Sequence, residues 1–411
     1  MTAVSHARAC AAALAGLEGM TPRRLVALLE QWGPEEAWSL VAAGAHPRDP
    51  ECRFRAAALG VEVGAVGDRY RCAGVDVLVP EDPAYPAALR GDPGAPAVLF
   101  AMGDPEVLAD RPAVAVVGTR SATPYGRQVA AELGRDLASA GVVVVSGLAL
   151  GIDGAAHAGA LDAGRRAAPP VGVAATGLDV AYPAVHRQLW NAVAARGAVV
   201  SEAPLGAPPR RGRFPARNRI VAGVCDVVVV VECHQRGGSI YTAEAAARRS
   251  IPVGVVPGSV RSPASAGTNA LLVDGCFPVR DAEDVLVAVS LARRRVDRPD
   301  PLPVAGVPVA ARVRPPRDDQ RRPRGASAPP APLAPPAPAD GTAEAMVLAA
   351  LDRVPTPIET VAVRTSLRVG ELAQALHRLV AAGWADAGDG WWSSRYPLPG
   401  QRRPERRPVD G

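Results

Sequence analysis

Arginine, glycine and serine stand at the ends of apolar runs through the middle of this 411-residue chain, and those residue types at those places suit the binding of an anion. Ala113–Val117 leads into Gly118-Thr119-Arg120, and Val142–Val145 into Ser146-Gly147-Leu148-Ala149-Leu150-Gly151-Ile152-Asp153. Asp226–Val231 is followed by Gly237-Gly238-Ser239. Each Val- and Ala-rich run reads as a buried strand, and an Ala-rich helical stretch comes after each turn, so the repeat reads as strand-turn-helix units of a parallel sheet. In such sheets ligands collect at the carboxyl ends of the strands, where helix N-termini offer unpaired backbone N–H groups and a partial positive charge. Several phosphates in a row would suit this rim.

Arg120 directly follows a strand and a glycine. Its guanidinium either takes a phosphate in a charge-assisted contact or pairs with a carboxylate at the sheet edge; Gly118, which lets a backbone approach closely, favours the phosphate. Ser146 and Gly147 read as loop donors to an anion. Asp153 and His157 are four apart and share a helix face. That spacing serves a general base with its orienting carboxylate, or a buried pair that fixes the loop, and the lack of a nearby Ser or Cys nucleophile favours the pair. Phe214-Pro215-Ala216-Arg217-Asn218-Arg219-Ile220 sets two arginines around Asn218 just before a helix. If the segment is extended, Arg217 and Arg219 point to opposite sides, one toward ligand and one into the fold. Gly238 and Ser239 open the next helix with small residues where a phosphate needs room, and Val256-Pro257-Gly258 with Ser265-Ala266-Gly267-Thr268-Asn269 closes the rim. Arg187 and Trp190, three apart on a helix, make a cation beside a stacking platform for unpaired nucleic acid; a core tryptophan with an arginine over its face has the same spacing.

None of the 46 basic residues is lysine. A GC-rich genome accounts for that bias, and its chemical consequence is to exclude the phosphate-loop NTPases, whose GxxxxGK[ST] motif needs its lysine. The net charge of +5 permits a polyanionic partner. The six cysteines form no CxxC pair, which argues against zinc and against a disulfide framework and fits a reducing cytoplasm. With no charged n-region ahead of an apolar stretch and no run of membrane-spanning length, the expectation is a soluble cytoplasmic protein with no metal, no cofactor and no membrane contact.

Residues 1–75 read as short helices parted by glycine turns, similar to a SAM or helix-hairpin-helix module; a plain helical packing domain fits equally. Thr21-Pro22 marks a helix start, and Gly33-Pro34 reads as that helix's end. Residues 76–291 carry the α/β pattern. Residues 292–341 form a Pro/Ala/Arg segment too poor in apolar surface to fold, read as a disordered linker with a positive first half. Residues 342–396 show helical periodicity over 343–353, 357–365 and 369–382, then a turn at Gly388-Asp389-Gly390 before Trp391-Trp392, the pattern of a winged helix. Residues 397–411 read as a disordered tail.

Together the motifs resemble the DNA-processing protein A (DprA/Smf) family. The resemblance rests on Val117-Gly118-Thr119-Arg120 with Tyr125-Gly126, Ser146 to Asp153 with Ala156-His157, Ser201-Glu202, Phe214 to Ile220, Gly238-Ser239 with Thr242-Ala243, and Val256-Pro257-Gly258. Upstream, Tyr85-Pro86 with Leu89, Ala95-Pro96 and Leu99-Phe100 fit the approach to the first strand. What it implies is an extended Rossmann-like α/β domain flanked by a helical N-terminal domain and a C-terminal winged helix. It also implies binding of single-stranded DNA in a positive pocket, a homodimer, protection of incoming DNA in natural transformation, loading of a RecA-type recombinase, and no catalysis. The DNA-binding residues would be Gly118, Arg120, Ser146, Gly147, Arg187, Trp190, Arg217, Asn218, Arg219, Gly238 and Ser239. The chain departs from the family pattern at His186, where asparagine is usual, and at Gly237 and Tyr241.

Two other classes compete. Gly237-Gly238-Ser239-Ile240-Tyr241-Thr242-Ala243-Glu244 resembles the GGxGTxxE signature of phosphoribohydrolases, in which Glu244 would be the catalytic acid, although Ile240-Tyr241 breaks the glycine-threonine pair. A duplex-binding regulator would use the winged helix, where residues 357–382 offer Arg364, Arg368 and Arg378.

Overall fold

The computed structural model describes residues 4–46, 52–109, 111–235, 237–297, 338–339, 341–351, 356–388 and 391–394. The chain divides into two compact units, residues 1–313 and 314–411.

The first unit opens with five helices, α1 (His6–Gly16), α2 (Pro22–Leu29), α3 (Pro34–Ala43), α4 (Arg53–Ala58) and α5 (Val63–Cys72). Thr21 caps α2 through its hydroxyl, which accepts from the Arg24 amide at 3.4 Å, with Pro22 behind it at the first helical position. Pro34 does not end α2, as the sequence reading had it. It starts α3 behind Gly33, because its fixed φ and missing N–H suit the first turn of a helix.

The α/β pattern then runs β1 (Val75–Leu78), β2 (Leu99–Gly103), β3 (Ala113–Val117), α6 (Pro124–Ser139), β4 (Val143–Ser146), α7 (Ile152–Asp162), β5 (Val171–Val173), α8 (Arg187–Arg196) and β6 (Ala198–Ser201). It continues with α9 (Arg213–Gly223), β7 (Val227–Val230), α10 (Ser239–Ala247), β8 (Val253–Val255), α11 (Ala266–Val273), β9 (Phe277–Pro278) and α12 (Ala282–Asp297). All nine strands join one sheet in the order β1-β2-β6-β5-β4-β3-β7-β8-β9. From β6 to β9 every pairing is parallel; β2 and β1 extend the sheet antiparallel.

The unbroken Val and Ala runs follow from burial of both sheet faces. Alternation along the strands sorts them: Ala113, Ala115, Val117, Val228 and Val230 pack with Ile220 of α9 and Ala243 and Ala246 of α10. Val114, Val116, Val227 and Val229 pack with Leu133 and Leu137 of α6, Ile152 of α7 and Val285 of α12. The N-terminal helices share a core with β1, β2 and α8, where Tyr70 stacks on Phe100 at 4.9 Å between centroids.

The sheet order reverses at β3. Successive strands β4, β5 and β6 build to one side and β7, β8 and β9 to the other, so a topological switch point lies between β3 and β7. Helix α12 continues through Arg293-Arg294-Arg295 to Asp297, so those arginines extend the helix. The rest of the segment expected as a linker falls almost wholly outside the described residues, as does the 397–411 tail.

The second unit is an α/β module of α13 (Ala343–Ala350), β10 (Thr356–Pro357), α14 (Ile358–Thr365), α15 (Val369–Ala381), β11 (Ala385–Gly388) and β12 (Trp391–Ser394). Its strands pair antiparallel in the order β10-β12-β11, and Val347, Leu348, Val361, Leu372, Leu376, Leu379 and Trp384 fill its core. Three helices and a hairpin in this order make a winged helix. Asp389 and Gly390, expected at the hairpin turn, lie outside the described residues.

Candidate nucleic-acid interface

Three loops nest at the carboxyl ends of β3, β4 and β7. The Thr119 amide donates to the Glu232 carbonyl at 2.8 Å and the Ile152 amide to the Thr119 carbonyl at 3.2 Å. Two glycines allow this closeness. A Cβ on Gly118 would meet Ile152 Cγ1 at 2.5 Å and the Glu232 oxygen at 2.8 Å. Gly151 has φ +77°, in the left-handed region, and a Cβ there would meet the Arg120 carbonyl oxygen at 2.6 Å. The turn that presents Arg120 is therefore locked from below, and the Arg120 side chain projects exposed above it.

Arg120 lies over the Phe214 ring, 5.0 Å from its centroid, and Tyr182 packs against the same ring at 5.4 Å. The aromatic partner of the rim arginine is thus Phe214, whose role the sequence reading did not assign, although it leads the motif that contains Arg217.

Arg217 sits beneath. Its side chain is 5% exposed, its guanidinium packs directly on the Cα of Gly147, and it donates to the Val173 carbonyl at the end of β5. Only glycine at 147 leaves room for it. Asp153, also buried, accepts from the Gly147 amide at 3.1 Å and faces Arg217. Burial pushes the Asp153 carboxyl up and the Arg217 guanidinium down to about 10; their mutual attraction opposes burial in both, and the Arg120 charge lowers Arg217 further. Two guanidinium groups against one carboxylate leave this cluster net positive, and an anion arriving at the exposed Arg120 completes the balance.

His157 lies on the same face of α7 as Asp153, fully buried, and neither ring nitrogen makes a hydrogen bond. Burial holds its pKa down to about 4; the Ser146 backbone beside the ring offsets this only in part, and the nearby Arg217 charge lowers it further. The imidazole is neutral at pH 7. His186 closes the loop from the residue just before α8, with Nδ1 3.0 Å from the Leu148 carbonyl.

Several expected contacts are reassigned. The Ser146 hydroxyl is buried and donates to the Val116 carbonyl at 2.7 Å, and the Gly147 amide is taken by Asp153, so both atoms are committed to the fold. Trp190 is 2% exposed and belongs to the core with Phe100 and Val193; a ring enclosed this way offers no face to a base. Arg187 is exposed at the start of α8 beside His186. Arg219 grips Glu202 with two bonds of 3.0 and 2.6 Å, and with Arg217 buried under the Gly147 loop both arginines flanking Asn218 brace the fold; they lie within α9, not in an extended segment ahead of a helix, so they do not divide between ligand and core. A second group forms where α9 meets α10: Asn218 donates to the Gly238 carbonyl at 3.2 Å, and the buried Ser239 hydroxyl has no hydrogen-bond partner. Glu244 pairs with Arg248 at 3.8 Å. Glu232, buried just after β7, had no place in the sequence reading, although a carboxylate closing an all-valine strand is a visible signal.

The family model described as DNA recombination-mediator protein A matches residues 76–290, over half of the chain, and contains the whole of this cluster. The chain belongs to that family. A second model, the DprA winged helix domain, matches residues 329–385. Among relatives of the family, the DNA processing protein DprA of Bacillus subtilis is 36% identical over 232 residues, covering 56% of this chain and 76% of that protein. Protein Smf of Synechocystis is 31% identical over 323 residues, covering 74% of this chain and 76% of its own length. In structure, DprA of Streptococcus pneumoniae superposes with a TM-score of 0.60 at 31% identity, covering 70% of this chain and 98% of that one. The family's Rossmann-like fold and its winged helix are both present here.

Proposed function

We propose that this protein binds single-stranded DNA along the carboxyl edge of its parallel sheet and acts, without catalysis, as a recombination mediator that shields incoming DNA and hands it to a RecA-type recombinase. The observation that carries the reading is the pairing of an exposed Arg120 with a buried Arg217 beneath it, over a single carboxylate. Arg120 takes a backbone phosphate. Arg217 does not reach the strand; it holds the Gly147 loop and adds positive potential under the site. Phe214 and Tyr182 beside Arg120 give an unpaired base something to stack on, which a duplex does not offer. Arg187, exposed at the start of α8, supplies a further phosphate contact along the rim. Family membership supports DNA as the polyanion; a cytoplasmic homodimer as the working form is part of the same proposal.

Fluorescence anisotropy with a labelled oligonucleotide tests this. Single strands should bind more tightly than the same sequence as duplex, with affinity falling as salt rises. Arg120→Ala should weaken single-strand binding roughly thirtyfold, about 2 kcal/mol for one charge-assisted contact, with an unchanged melting temperature. Equal affinity for both forms, or unaltered binding by the variant, would remove the site.

A further inference from the structure

Between the end of β3 and the start of α6 the chain runs through residues 118–123, and Arg120 projects from the middle of that loop. One residue from elsewhere in the fold holds the loop on both sides of it. The Glu232 carbonyl accepts from the Thr119 amide at 2.8 Å, and the Glu232 carboxylate accepts from the Thr123 amide at 2.9 Å and the Thr123 hydroxyl at 2.5 Å.

Glu232 is 2% exposed, so it cannot touch a bound strand and acts on one only through what it holds. Burying a carboxyl is costly unless donors meet it, and here both donors belong to Thr123, at the positive end of the 16-residue helix α6. Thr123 passes the restraint on. Its hydroxyl accepts from the Gly126 amide at 3.1 Å as it caps α6, and a Cβ on Gly126 would run into the Glu232 carboxylate, so helix and acid sit in direct contact. The Arg127 side chain donates to the Ala122 carbonyl, and the Ser121 amide donates to the Thr119 hydroxyl at 3.2 Å. Thr119, Ser121, Ala122 and Thr123 are thus each fixed by hydrogen bonds, and Arg120 is carried between them.

We propose that Glu232 is a positioning residue for single-strand binding: it latches the loop that carries Arg120, so that the guanidinium stands in place before a phosphate arrives. This role rests on the reading of Arg120 as the phosphate contact. A loop without its latch must be ordered at the moment of binding, and that ordering is subtracted from affinity.

Anisotropy titrations with a labelled single strand, paired with hydrogen exchange of the full chain, test the latch in wild type, Arg120→Ala, Glu232→Ala, Glu232→Gln, Thr123→Val and the double variant Arg120→Ala/Glu232→Ala, each well below its melting temperature. Glu232→Ala should weaken binding about tenfold, the cost of ordering a loop on binding, and should speed amide exchange across residues 119–123, which Arg120→Ala should not. Glu232→Gln keeps an oxygen for the Thr123 amide and should stay within about threefold of wild type. Both variants remove the same acid, so a role through charge alone would strengthen binding to a polyanion equally in both. Thr123→Val loses the hydroxyl bond and keeps the amide bond, and should weaken binding about threefold. The double variant should bind no more weakly than Arg120→Ala alone, because a latch with no arginine to place has no effect on affinity, whereas a general structural defect would add to the loss. Wild-type affinity in Glu232→Ala or Thr123→Val beside a weakened Arg120→Ala, equal affinities in Glu232→Ala and Glu232→Gln, or additive losses in the double variant would overturn the latch and leave the DNA reading standing. Unaltered binding by Arg120→Ala would overturn both, and unchanged exchange at 119–123 in Glu232→Ala would overturn the latch whatever the titrations give.

Discussion

Arg120 and Arg217 differ in burial, and so their removal should fail in different ways. Arg120 stands in solvent and bonds nothing that the fold needs, so its loss touches binding alone. Arg217→Met leaves Asp153 buried without its cation, and breaking such a pair costs about 3–5 kcal/mol; thermal unfolding should show a large drop in melting temperature alongside the binding defect. His157 gives a pH signature. The unfolded imidazole takes a proton near 6.5, whereas the folded one resists until about 4. Stability from this group is complete above pH 6.5 and is lost as pH falls toward 4, because the unfolded chain binds the extra proton. The loss between pH 7 and pH 5 is about 2 kcal/mol at 1.36 kcal/mol per pKa unit. Asp153, with its carboxyl pushed up, works in the opposite sense in acid, so the test is a comparison: denaturant unfolding of His157→Leu at both pH values should lose most of the wild-type difference. Arg120 was legible because a strand and a glycine fix where it must sit. Trp190 was not, since a three-residue spacing on a helix is the same whether the pair faces solvent or core; nor was the commitment of Ser146, whose partner Val116 is thirty residues away.

At the scale of elements, the site is a product of loops that interlock. Leu148 adopts φ 58° while fully buried, a left-handed conformation uncommon outside glycine, and Gly172 on β5 makes room for its side chain. Gly147→Ala would drive a methyl into the Arg217 guanidinium. That variant should lose both stability, by about 1–3 kcal/mol as overpacking does, and single-strand binding, in contrast to Arg120→Ala; matched melting curves and anisotropy titrations check the difference. The strands were plain in the sequence because a sheet buried on both faces needs unbroken runs of Val and Ala. The end of α2 was misread because Gly33-Pro34 signals a helix start as readily as an end. The role of Glu232 stayed hidden because its partner Thr123 lies far off in the chain and is brought to it only by the pairing of β3 with β7.

The whole molecule combines a two-faced α/β unit with a winged helix. Both fold types were legible in the sequence, the first from its unbroken apolar runs and the second from its helical periodicity. The surplus of five positive charges is carried by arginine alone, so phosphate contacts outside the backbone fall to guanidinium groups, which pair with phosphate in fixed geometry. Among the described residues of the winged helix, Arg378 on α15 is tied to Glu344 at 2.7 Å and Arg364 donates to the Ala350 carbonyl at 2.9 Å, so two of its three arginines are engaged within the module. This favours the sheet edge as the seat of DNA binding. The most direct measurement is an anisotropy titration of wild type and Arg120→Ala with single-stranded and duplex oligonucleotides across a series of salt concentrations. The account predicts tighter binding of the single strand, a negative slope of log affinity against log salt, and a slope shallower by about 0.7 in the variant, the share of one phosphate contact on an unpaired strand. Identical slopes and affinities in the two proteins, or no preference between the two forms of DNA, would contradict it.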